Sequence, residues 1–273
     1  MSKVGVGIIT CNRKDFYEKC LSTVKLAAGN GAVDEIVVIN DGDVYEDNNK
    51  DGLEYVQHDV NVGVGISKNE AMKLLLEKGC EHIFIMEDDI FVMNDNVFSK
   101  YIKAAQESGV WHLMFGYHGP ANKNPDTKLP VPRLVMKYDN GVSLAFNRHC
   151  VGAFCYYHKA VLNNVGLMDE RYINAWEHVS HSLSIVEAGL LPGYWWWPDI
   201  ANSWDYLGEQ ACSEEIEKGA IRKRPDWSDN IQMGVKVFKE KHNHLPVSVP
   251  DTTEDEIAKR LNTIKERYSR SEA

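Results

Sequence analysis

Hydrophobic positions along this chain follow two alternating rhythms. Val4-Gly-Val-Gly-Ile-Ile-Thr10 is a short apolar run of the kind that forms a strand buried on both faces. Asp15 to Ala28 follows, with Phe16, Cys20, Leu21 and Val24 at helical spacing and Gly29-Asn-Gly31 as its end. Glu35 to Asn40 repeats the strand pattern and is closed by Asp41-Gly42. Ser67 to Lys78 repeats the helical one, with Ala71, Leu74 and Leu75 on one face and Gly79 just beyond. His82-Ile-Phe-Ile-Met86 is the next strand, and it runs straight into Glu87-Asp88-Asp89. Strands alternating with helices at this spacing predict βαβ units, hence an α/β fold whose mostly parallel sheet is covered by helices on both faces.

The rhythm then changes. Gly119 to Pro132, rich in proline with Asn, Lys and Asp, reads as an irregular surface loop. Val142 to Phe146 and Val151 to Tyr157 are apolar runs expected to pair as antiparallel strands, and His158 to Val165 and Trp176 to Ala188 read as helices. Tyr194-Trp-Trp-Trp197 reads as an aromatic strand with Trp195 and Trp197 on one face, where packing is favoured over a sugar-stacking platform. An amphipathic helix is expected near Ile231–Lys241, and a last one opens at Thr253 with Glu256 as a capping box. These elements divide the chain into an α/β domain over residues 1–210, in halves 1–118 and 119–210, and a helical C-terminal extension over 211–273.

Composition narrows the classes. The 273 residues are 44% hydrophobic and 26% charged, ordinary for a globular protein and unlike a collagen-like or disordered chain. No apolar run approaches the ~20 residues of a membrane span, and MSKVGVGIIT lacks a signal-peptide cleavage pattern, so a soluble, cytoplasmic protein is expected. The net charge of −10 argues against passive binding to nucleic acid. From Lys218 onward, however, 12 basic residues face 9 acidic ones, including Arg222, Lys223 and Arg224. A solvated helical face is the ordinary account of such a run, and an anionic partner the alternative. The six cysteines form no CxxC pair, which fits reduced thiols, and His149, Cys150, Cys155 and His158 have poor spacing for zinc.

Ligands of open α/β sheets bind beyond the carboxyl ends of the strands. Polar clusters sit at such ends here: Thr10-Cys-Asn12-Arg13, Asn40-Asp41-Gly42, the Asn61–Asn69 stretch, and Glu87-Asp88-Asp89. Adjacent carboxylates repel one another unless a cation or strong donors compensate. Hard cations such as Mg2+ or Mn2+ take one or two carboxylates plus phosphate oxygens. In extended chain, Glu87 and Asp89 would face one side together.

In that order of motifs the chain resembles the family 2 glycosyltransferases and their relatives of GT-A (Rossmann-like) fold. The residues that carry the resemblance are Ile-Ile-Thr-Cys-Asn-Arg, Ile-Asn-Asp-Gly-Asp, Asn61-Val-Gly-Val-Gly-Ile-Ser-Lys-Asn69, and Glu-Asp-Asp as a form of the DxD motif. Residues 4–92 match in order; the acceptor-side half matches in outline, through Gly152-Ala-Phe, Val165-Gly-Leu-Met-Asp169-Glu and Trp176-Glu177. The resemblance implies that Thr10, Asn12, Arg13 and Asp41 hold the nucleotide, with Asp41 near the base or ribose. It implies Gly63 and Lys68 near the nucleoside and diphosphate, Lys68 standing where the family often has arginine. It also implies Glu87 and Asp88 at the ribose or donor sugar, and Mn2+ or Mg2+ on Asp89. Where relatives supply a metal-binding histidine, Ser203-Trp-Asp205-Tyr-Leu-Gly208 offers Asp205, with His178 and His181 as rivals. The family's Glu-Asp pair at a helix start is Glu177-His178 here; Glu177 is the first choice of catalytic base, His178 the second, Asp169 or Glu170 behind.

The implied activity is metal-dependent, inverting transfer of a sugar from a nucleotide-diphosphate donor, UDP-sugar by default, to a hydroxyl of a saccharide acceptor. A hydroxylated base in DNA is a lesser acceptor, favoured by the basic C-terminal section. A nucleotidyltransferase would show a glycine- and arginine-rich phosphate loop, which Cys11-Asn-Arg13 is not. A non-catalytic sugar-nucleotide binder is favoured by the broken Glu-Asp pair and opposed by the acidic triplet; turnover of a sugar nucleotide separates it from an enzyme.

Overall fold

A computed structural model describes residues 2–45, 53–210 and 225–268. Cys212 and the basic run Arg222–Arg224 lie outside the described residues. The main sheet has the order β3-β2-β1-β4-β9-β6, built from β1 Val4–Thr10, β2 Glu35–Asn40, β3 Glu54–Gln57, β4 His82–Glu87, β6 His112–Met114 and β9 Phe154–His158. β3, β2, β1 and β4 run parallel, and β9 lies antiparallel between β4 and β6. β1, β4 and β9 are buried along almost their whole length, as central strands covered on both faces must be.

The helices follow the apolar spacing. α1 Lys14–Gly29 buries Phe16, Tyr17, Cys20, Leu21, Val24 and Ala27. α2 Val64–Glu77 buries Ala71, Met72 and Leu75, but it starts before Ser67, at a Gly63 cap, and so buries Lys68 and Asn69 as well. α3 Asn96–Ser108, α4 Lys159–Val165 and α5 Glu177–Glu187 complete the domain. The tail helices α6 Trp227–His242 and α7 Glu254–Tyr268 place Phe238, Ile257, Leu261 and Ile264 in the same core cluster. At the start of α7, Glu256 N–H donates to Thr253 Oγ1 at 3.3 Å, the hydroxyl half of the capping box.

Two expectations for the middle are corrected. The runs around 142–146 and 151–157 do not pair with each other. β8 Ser143–Asn147 joins β7 Leu134–Lys137 and β10 Trp197–Ile200 in a separate antiparallel sheet, whereas β9 enters the main sheet. Apolar patterning marks a strand without naming its partner, and β9 finds the exposed edges of both β4 and β6. The aromatic run is a turn rather than a strand up to Trp196, with Trp195 at φ 69°, so the alternation of its indoles fails. Trp195 Nε1 donates to Val249 O at 2.8 Å and Trp196 Nε1 to Thr252 O at 3.1 Å. The run therefore fastens the segment leading into α7, which agrees with packing. A final antiparallel pair, β5 Ile90–Val92 with β11 Leu207–Glu209, follows the acidic triplet.

Candidate active site

The carboxyl ends of β1, β2 and β4 are level, Thr10 beside Asn40 and Ile9 beside Glu87, so the polar residues after each strand meet at one edge of the sheet, where ligands of such folds bind. Thr10 Oγ1 donates to Asp88 Oδ2 at 2.7 Å and lies 3.0 Å from the Tyr45 hydroxyl, which accepts from Arg13 N–H. The Arg13 guanidinium forks onto both acids that follow β4, Nη2 on Asp88 and Nη1 on Asp89 Oδ2 at 3.1 Å. Burial pushes the Asp88 carboxyl up to about 7, with Arg13 and Thr10 pulling the other way. Arg13 is thus the compensating cation that adjacent carboxylates require. The chain turns through Asp88 and Asp89, so strand alternation ends at Glu87, and Glu87 and Asp89 take different partners.

Asp41 is saturated from within. Its carboxylate accepts from Asn61 Nδ2, Val62 N–H and Gly63 N–H at 2.8–2.9 Å and lies 2.7 Å from His58 Nδ1. It holds the 61–63 turn that launches α2, while Asn12, at φ 56°, accepts from Asp43 N–H at 2.6 Å. Gly63 has φ 100°, and a Cβ there would lie 2.2 Å from Ile173 O. Gly63→Ala is therefore expected to destabilise by more than about 1 kcal/mol, measured by urea unfolding, because both the backbone region and the space exclude a side chain.

Lys68, expected near the diphosphate, is buried between two carboxylates. It is 1% exposed, with Nζ 2.7 Å from Glu87 Oε1, 3.0 Å from Gly152 O and 3.4 Å from Glu177 Oε1. Glu177, at the first turn of α5 and 3% exposed, also accepts from His178 Nδ1 at 2.9 Å. Burial works against its charge, but His178 and Lys68 prevail and hold its carboxyl well below the usual carboxylate range. The residue before it, Trp176, is at φ 70°, a strained conformation for a bulky side chain. His181 turns away, Nε2 donating to Gly166 O at 2.9 Å. Asp169 is chelated by Arg171, and Glu170 meets Lys73 on the surface.

Beside Asp89 stands a pair that the motif order did not reveal. His118 Nε2 lies 3.8 Å from Asp89 Oδ2, and its Nδ1 lies 3.3 Å from Glu209 Oε2. His118 and Lys123, the latter 2.6 Å away, hold the Glu209 carboxyl down at about 2 against burial. The β5–β11 register sets Glu209 opposite Ile90 and hence next to Asp89, and Gln210 N–H donates to Asp89 O at 2.7 Å. Asp205 lies at the other end of that pairing, in a turn where it accepts from Asn202 Nδ2 at 3.2 Å. Next to Glu209 a cavity of about 320 Å³ is lined by Tyr117, Lys123, Leu129 and Trp204 among others, the Trp204 indole being 42% exposed.

Among the described residues no group of three or more His, Cys, Asp or Glu is arranged as a metal cage. Asp89 Oδ1, however, is buried with no hydrogen-bond partner among the described residues. That orphaned oxygen fits a hard cation that takes one carboxylate from the protein and further oxygens from a diphosphate.

The level strand ends, the acidic turn and the GT-A order of elements define a nucleotide-diphosphate-sugar transferase fold. The model of the family named "Glycosyl transferase family 2" matches residues 5–166, and the chain belongs to that family and is a glycosyltransferase. No curated protein sequence matches the chain. Among solved structures, residues 1–349 of S. aureus TarS align over 99% of this chain and 73% of that one, at 14% identity and TM-score 0.55. The same portion of TarS in complex with UDP-GlcNAc aligns over 97% and 72%, at 15% and 0.56. The mannosyltransferase PcManGT from Pyrobaculum calidifontis, in complex with GDP-Man and Mn2+, aligns over 99% and 70%, at 11% and 0.54. At these identities the likeness is one of fold. Among the described residues no helix is long and apolar enough to cross a membrane.

Proposed function

We propose that this protein transfers a sugar from a nucleoside-diphosphate sugar to a saccharide hydroxyl, with inversion and with Mn2+ or Mg2+ on Asp89. One observation carries the reading: Asp89 Oδ1, just beyond the level ends of β1, β2 and β4, is buried with no hydrogen-bond partner among the described residues. The donor complexes of TarS and PcManGT support it by analogy of fold. A hydroxylated base in DNA has no support in these comparisons.

The nucleoside fits between the Asn12 turn and the 61–63 turn that Asp41 holds; Thr10 sets Asp88 and Arg13 rather than meeting ligand itself. Arg13, gripped by Asp88 and Asp89, supplies positive charge toward the diphosphate. When bound, the divalent ion would neutralise charge developing on the leaving phosphate oxygen. Lys68 acts at a remove, as the buried counterion that locks Glu87 and Glu177. The Glu177–His178 pair, on the acceptor side, removes the hydroxyl proton.

The reading is tested by offering UDP- and GDP-sugars with an oligosaccharide panel and following products by NMR. One donor is expected to yield a glycoside of inverted anomeric configuration; donor binding without any turnover would make the protein a binder. Trp204→Ala is expected to raise the acceptor KM on the order of tenfold, about 1.4 kcal/mol, with kcat and melting temperature retained, because its exposed indole offers a sugar a stacking face. An unchanged acceptor KM would place the acceptor away from this cavity.

A further inference from the structure

We infer that His178 takes the acceptor's proton on Nε2 and that Glu177 is the positioning residue that holds the imidazole for it. This rests on the glycosyl-transfer reading and names which member of the pair does the chemistry.

One oxygen of Glu177, Oε1, is committed twice over. It receives His178 Nδ1 at 2.9 Å and Lys68 Nζ at 3.4 Å. An ionised carboxylate only accepts, so His178 Nδ1 must carry the hydrogen. In the neutral ring that leaves the lone pair on Nε2, which has no hydrogen-bond partner among the described residues. The side chains also differ in access: 22% of His178 is exposed against 4% of Glu177. A buried carboxylate already paired with the Lys68 ammonium is a poor proton acceptor.

The ring is held in place on several sides. A Cβ on Gly152 would fall 2.6 Å from His178 Cγ, so the imidazole lies directly on the Gly152 backbone. Ala153, the next residue, accepts from Glu87 N–H at 2.7 Å, which sets the ring beside the end of β4. From the other side, the strained Trp176 packs against Gly234 and Phe238 of α6 and fixes where α5 begins. Among the described residues, charged or titratable groups near the imidazole include Glu177 on its own helix, Lys68 from α2 with Glu87 behind it, and His112 from β6.

The step balances simply. The acceptor O–H proton moves to Nε2 as its oxygen bonds to the anomeric carbon, and the bond from that carbon to the diphosphate breaks, the electron pair leaving with the nucleoside diphosphate. The imidazolium, paired with Glu177, then releases its proton to water.

The test measures kcat, donor KM and donor-induced thermal shift for wild type, His178→Ala, Glu177→Gln and Glu177→Asp, with and without added imidazole. His178→Ala is expected to lose 10²–10⁴ in kcat, the usual contribution of a general base, with donor shift and KM retained, and to regain part of kcat with imidazole. Glu177→Gln is expected to lose kcat without imidazole rescue, and Glu177→Asp to recover part of it. With wild-type transfer present in the same assay, His178→Ala at wild-type kcat overturns the assignment while leaving glycosyl transfer standing. A Glu177→Gln loss deeper than that of His178→Ala, with no imidazole rescue of the latter, overturns it in favour of Glu177 itself.

Discussion

Asp89→Ala is expected to lower glycosyl transfer on the order of 10²–10³-fold or more and to abolish metal-dependent nucleotide binding, while leaving the fold intact. The size follows from losing a preorganised charge at the leaving group. The intact fold follows from the surroundings: Asp88 keeps both Thr10 and Arg13, and one of two repelling carboxylates is gone. Arg13 loses only the 3.1 Å half of its fork. Steady-state kinetics and nucleotide titrations with Mn2+ and with chelator check this. Full activity in the variant would remove Asp89 from the metal and leave Arg13 as the charge that meets the diphosphate.

The second large effect is on stability. Lys68→Met is expected to cost about 3–5 kcal/mol, because it strips the cation from two carboxylates, one of them almost fully enclosed. In a chain of this size that is a fall of roughly 10 °C in melting temperature. Adding Glu177→Gln to Lys68→Met should return part of the loss, since an uncharged amide no longer needs the ammonium. Calorimetric or fluorescence melting of the single and double variants measures this. A Lys68→Met protein that melts normally but binds nucleotide weakly would instead put the ammonium on the diphosphate.

The strand ends were legible because buried parallel strands write themselves as apolar runs and their ligand-facing ends as polar clusters. Thr10, Asn12, Arg13, Asp41 and the acidic triplet therefore fall where the patterns put them. Lys68 was not legible as a buried cation, since it sits in a helix whose apolar face starts three residues later. Only tertiary packing brings Glu87 and Glu177 to it. Glu209 and His118 share no local pattern with Asp89; the β5–β11 register joins them and leaves Asp205 at the far end. The separation of β8 from β9 escaped for a related reason, because sheet membership depends on which edges are open.

The most direct measurement is a thermal-shift panel of nucleotides and sugar nucleotides with Mn2+, with Mg2+ and with chelator, run on wild type and Asp89→Ala. A ligand that binds only the folded state at about a hundred times its Kd adds about 2.7 kcal/mol. That predicts a rise of roughly 5–10 °C for one sugar nucleotide with metal in wild type, lost with chelator and in the variant. No rise with any sugar nucleotide in wild type would contradict the donor site.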